Sequence, residues 1–127
     1  MEATATTWIK LGGIANIGWF LFHCFFWRLF NWKSQLKRLS EVNSGVMQVL
    51  NLCLSFVFLI FAAVSLLFAN ELLNPGLGQA MLAGIGVFWI LRLIEQPVFF
   101  GFSRISNVFS LLFAATAACY LAAWALG

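Results

Sequence analysis

Apolar residues fall along the chain in four long blocks, 11–30, 46–68, 77–96 and 105–126, separated by short polar stretches. About 20 apolar residues cross the roughly 30 Å of a bilayer's hydrocarbon, and each block is near that length. None shows the ten-residue alternation of a barrel strand. A lone apolar segment in lipid satisfies its backbone only as a helix. The pattern therefore predicts an all-α membrane protein: a single domain over residues 1–127 with four transmembrane helices in an up-down bundle.

The connections differ in kind. Residues 31–45 hold Lys33, Lys37, Arg38 and Glu41, while residues 69–76 hold Glu71 and the turn signal Asn74-Pro75-Gly76. Residues 97–104 are apolar themselves, with Phe99, Phe100 and Phe102. Pro97 has no backbone donor and clashes with the preceding turn. The third helix is therefore expected to stop there, leaving the phenylalanines in the interface; continuation to Phe102 would carry Arg92 towards mid-membrane. The polar lead-in over residues 1–7 lacks the basic start of a signal peptide, so the first block is expected to remain as a span.

Basic residues orient such a chain. Arg28, Lys33, Lys37 and Arg38 flank the first connection and Arg92 and Arg104 the third, against Lys10 alone on the other side. Both termini are thus expected on the non-cytoplasmic side of a cell (inner) membrane. Trp8 and Trp124 would anchor the outer interface and Trp32 the inner one.

Composition strengthens this reading. Only 9% of residues are charged, against about 25% in a soluble domain, too few to dress a water-facing surface. The net charge of +3 comes from clusters at the helix ends, which makes it a topology signal and argues against a nucleic-acid partner. Lys33, Lys37 and Arg38 would also contact anionic lipid headgroups. Cys24, Cys53 and Cys119 lie in separate blocks without metal-ligand spacing and are expected as buried small hydrophobes.

The candidate chemistry lies in the few polar residues within the blocks. Asn16, His23 and Trp27 fall within about 60° of one another on the first helix. Gln48, Asn51 and Ser55 share a face of the second, and Phe88, Arg92, Glu95 and Gln96 a face of the third. Ser103, Ser106, Asn107, Ser110, Ala114 and Ala117 form a polar-to-small stripe on the fourth, suited to close helix approach. His23, Gln48, Asn51, Arg92 and Glu95 gather in the cytoplasmic half and would line a pocket there, as a ligand or proton site. Asn16, Ser65 and Thr116 are the main polar groups of the outer half.

Structural roles compete for each. Arg92 can snorkel to the inner headgroups with Glu95 neutralising it. Arg before Glu is the poorer order for such a pair, however, and a glutamate near a helix C-terminus opposes the dipole, so Glu95 is expected to look for another partner. His23 would be satisfied by Asn51 or a backbone carbonyl, and Gln48 and Asn51 would form interhelical hydrogen bonds.

Phosphate-loop, dinucleotide-fold and H-E-x-x-H motifs are absent from the sequence, and one histidine cannot build a zinc site within one chain. No serine stands in a nucleophile-elbow context, so enzymatic activity has no motif behind it, and the sequence assigns no cofactor. The leading expectation is a homo-oligomer that binds or passes an ion, proton or small solute, since ionisable residues within spans mark such pathways. The alternative is a non-catalytic accessory or assembly subunit of a larger membrane complex. A further one is a haem, quinone or lipid-headgroup binding protein, with haem ligation needing His23 from two copies. The lipid bilayer, other copies and other membrane subunits are the partners implied.

Overall fold

The computed structural model describes residues 2–127, all helices and turns with no strand among them. In chain order these are α1 (Glu2–Cys24), α2 (Phe26–Leu29), α3 (Trp32–Gln35), a 3-10 turn (Leu36–Arg38), α4 (Glu41–Leu67), α5 (Ala69–Leu72), α6 (Leu77–Phe100) and α7 (Arg104–Leu126). Three of them, α4, α6 and α7, are long and apolar enough to cross a membrane. The first helix matches them in length at 23 residues but not in apolarity. Thr4, Thr6, Thr7, Lys10, Asn16, His23 and three glycines dilute it.

Several boundaries differ from the sequence expectation, each for a local reason. The lead-in is helical from Glu2 onward, with Ala5 and Ile9 fully buried; Met1 lies outside the described residues. The first block does not continue unbroken to residue 30. Its helix ends at Cys24, and Asn31 adopts the left-handed conformation at φ 51°, which asparagine tolerates better than most residues. The second helix starts at Glu41 because Ser40 caps it: its Oγ accepts from the Asn43 amide at 3.1 Å.

The third helix does not stop at Pro97 but runs through it to Phe100. Proline removes one intrahelical hydrogen bond there, a loss a membrane helix tolerates near its end. The stop comes at Gly101, whose φ of 75° leads the chain out of the helix. Ser106 Oγ then donates to the Gly101 carbonyl at 2.7 Å and accepts from Gln96 Nε2 at 3.1 Å, which fastens the α6–α7 turn. The cysteines are not buried as a set: Cys24 and Cys53 are exposed on the chain's surface and Cys119 half-buried.

The long helices meet through specific side-chain contacts. Gly12 and Asn16 of α1 meet Tyr120 of α7, Trp19 meets Thr116 and Phe113, and Phe22 meets Phe109. His23 meets Asn51 of α4, and Gly13 lies against Ser65. Trp89 of α6 meets Phe113, and Gln96 meets Ser106. Backbones approach closely between α1 and α4, α1 and α7, and α6 and α7. Between α4 and α6, aromatic rings bridge the gap, with Phe58 on Phe88 and Trp89, and Phe61 on Phe88.

Candidate functional site

Each long helix contributes one buried ring to a common layer: Trp19 from α1, Phe58 from α4, Trp89 from α6 and Phe113 from α7. Trp19 stacks on Phe113 at 4.6 Å between centroids, Phe58 on Trp89 at 5.1 Å, and Trp19 leans on Trp89 at 5.6 Å. Trp89 is fully buried and the other three are at most 8% exposed. Offset rings at these separations attract one another beyond the area they bury. Ring contacts run through the layer from helix to helix, with polar groups on either side of it.

One half lies towards the α1–α4 connection and contains the residues expected to form a site. His23 Nδ1 and Asn51 Oδ1 lie 2.8 Å apart, and Asn51 Nδ2 donates to the His23 carbonyl at 3.3 Å. An amide oxygen only accepts, so Nδ1 carries the hydrogen. The imidazole also stacks on Phe26 at 4.2 Å and meets Phe58 edge-on at 5.0 Å. His23 and Asn51 are thus brought together, as a satisfied pair joining α1 to α4.

The other expected members are not joined to that pair. Gln48 Nε2 turns back along its own helix to the Ser44 carbonyl at 3.2 Å and Ser44 Oγ at 3.3 Å, so it makes no interhelical bond. Arg92 does not pair with Glu95; its guanidinium lies 4.4 Å from the Phe113 ring centroid, beneath the aromatic layer, and 5.8 Å from that of Phe100. Glu95 is half-buried, with no hydrogen-bond partner among the described residues. Lys33, Lys37 and Arg38 are exposed on the connection.

The opposite half holds a network that sequence reasoning missed. Tyr120, fully buried, accepts a hydrogen bond from Asn16 Nδ2 at 2.8 Å and shares another with Ser65 Oγ at 2.7 Å. Asn16 Nδ2 also donates to the Gly12 carbonyl at 2.9 Å, and Trp19 Nε1 donates to Thr116 Oγ1 at 3.1 Å. Gly12 is what lets the tyrosine in: a Cβ there would stand 2.5 Å from the ring. Asn16, Ser65 and Thr116 were legible as the polar groups of this half. The missing signal was the chain's single tyrosine, 17 residues into α7, at the depth where those three meet. Asn16 Oδ1 and Trp89 Nε1 stay buried without a partner among the described residues.

The stripe on α7 divides. Ser106 and Ala117 are buried, whereas Asn107 is exposed and Ser110 and Ala114 are half-exposed. The last three line an outward groove of about 660 Å³ with Leu93, Ile94 and Pro97 of α6. A second groove of about 400 Å³ lies between α1 and α7, beside Gly18, Trp19 and Cys119. Neither groove is lined by His23, Gln48, Asn51, Arg92 or Glu95. No group of three His, Cys, Asp or Glu side chains among the described residues could hold a metal ion.

Length and apolarity of α4, α6 and α7 fit the class of integral membrane proteins. No known protein family, curated protein or solved structure matches the chain.

Proposed function

We propose that this chain is a multi-pass protein of the cell (inner) membrane whose four long helices all span, in an up-down bundle with both termini outside the cytoplasm. In this reading it is a non-catalytic subunit that docks against the transmembrane helices of other polypeptides. The observation that carries the reading is the aromatic layer of Trp19, Phe58, Trp89 and Phe113. It fills the core of a single copy with packed rings, while the outer faces carry large apolar side chains along every long helix. Glu95 gives the docking a polar determinant. Glu95 is half-buried and shares only the field of Arg92, with no hydrogen bond or ion pair among the described residues, and a basic or hydrogen-bonding side chain on a neighbouring helix at the same depth would engage it.

The second reading keeps the passage of an ion, proton or small solute and places it between copies of the chain. It rests on the outward groove of α6 and α7, a largely apolar cleft whose lining also includes Asn107 and Ser110. Native mass spectrometry after gentle extraction separates the two. The docking reading expects a heavier assembly containing other polypeptides, reduced at least about tenfold by Glu95→Lys, which sets a buried like charge against the partner. A defined homo-oligomer free of other chains would overturn it in favour of the second reading.

A further inference from the structure

The link between α1 and α4 is more than a tether. α1 stops at Cys24, the single turn of α2 follows, Asn31 swings the chain at φ 51°, and α3 and the 3-10 turn complete the segment. Trp32 and Leu36 are buried, the Trp32 ring lies 5.6 Å from Phe26 of α2, and the 3-10 turn rests against α4. Its other large apolar side chains face outward: Phe25, Trp27, Leu29 and Phe30 are 52%, 49%, 57% and 48% exposed. Arg28, Lys33, Lys37 and Arg38 are exposed among them, and no acidic residue occurs from Cys24 to Ser40.

Exposed rings interleaved with uncompensated cations match the chemistry of a membrane–water interface. Aromatic side chains settle at headgroup level, and basic side chains beside a leaflet are drawn to its anionic lipids. We propose that residues 25–39 form an interfacial foot that binds anionic phospholipid headgroups of the cytoplasmic leaflet. Arg28, Lys33, Lys37 and Arg38 contact the phosphates, while Trp27 and Phe30 insert beside the upper acyl chains. Charge complementarity selects this occupant, since the opposite end offers Lys10 against Glu71 and no cationic cluster. The leaflet assignment rests on the sidedness proposed above; the lipid preference does not.

The test offers the detergent-solubilised full chain an equimolar mixture of phosphatidylglycerol and phosphatidylcholine and counts retained lipids by native mass spectrometry. Each engaged basic residue is worth roughly fivefold, so phosphatidylglycerol is expected to exceed phosphatidylcholine at least about fivefold. The quadruple variant Arg28→Gln/Lys33→Gln/Lys37→Gln/Arg38→Gln should bring the ratio near one, whereas Lys10→Gln should retain it. Should the quadruple variant fail to fold by circular dichroism, Lys33→Gln/Lys37→Gln reads the same loss in part. Equal retention of both lipids by the parent chain, or a preference that survives in the folded variants, overturns the proposal. Labelling of Lys33 by an impermeant reagent from outside the cell would overturn the leaflet assignment alone.

Discussion

Trp89→Ala is expected to lower stability by about 3–5 kcal/mol, the range for truncating a large buried aromatic. Trp89 is fully buried and touches rings from every other long helix: Trp19 of α1, Phe58 of α4 and Phe113 of α7. Its removal leaves a cavity bounded by all four, and collapse around it would have to move each of them. Trp89→Phe is expected to be milder than Trp89→Ala, because it keeps one ring in the layer and leaves a smaller cavity. The indole Nε1 has no partner among the described residues, and a buried unsatisfied donor itself carries a penalty of about 1–3 kcal/mol, so the phenylalanine gives up volume but also removes that burden. Denaturant titration of helix content in mixed detergent–lipid micelles measures both variants. Equal losses for alanine and phenylalanine would show that the ring layer is not what holds the helices together.

The second large effect is expected at Tyr120. Tyr120→Phe keeps the ring against Gly12 and removes only the oxygen that joins α1, α4 and α7 through Asn16 and Ser65. Asn16 Nδ2 keeps its bond to the Gly12 carbonyl, but Ser65 Oγ, fully buried, loses its one side-chain partner. Hydrogen bonds between membrane helices average about 0.6 kcal/mol and reach about 1.7. Complete burial of both partners places this loss at the upper end, about 1–2 kcal/mol. The same titration checks it, and a double-mutant cycle isolates the contact: Ser65→Ala on top of Tyr120→Phe should cost less than Ser65→Ala alone. Additive losses would mean that the two oxygens do not act together.

What the sequence disclosed follows how local each signal is. Continuous apolar blocks reveal helices, so α4, α6 and α7 were legible. The turn Asn74-Pro75-Gly76 located the start of α6 to the residue, at Leu77. The His23–Asn51 pair was legible as two polar groups at one depth on consecutive helices. Arg92 was harder, because its partner is an aromatic face on another helix, and fifteen phenylalanines and six tryptophans offered too many choices. The same abundance hid the ring layer, whose members differ from their neighbours only in which way they face. Pro97 misled because its local cost is real, yet a single lost bond near a helix end does not outweigh a stop fixed four residues later by Gly101. The lead-in misled because Thr4, Thr6 and Thr7 read as polar, while Ala5 and Ile9 on the other face are buried and draw the segment into the helix.

The central claim is that α1 crosses the membrane although it is the least apolar of the four long helices. Single-cysteine variants at Thr4 and Ala125, in a background with Cys24, Cys53 and Cys119 replaced by serine, test it most directly. Reaction with a membrane-impermeant maleimide on intact cells reports the side on which each end lies. Four spans predict that both positions react without permeabilisation, while a cysteine at Ser34 reacts only after it. Reaction at Ala125 on intact cells, with Thr4 protected until the membrane is opened, would leave three spans and contradict the account.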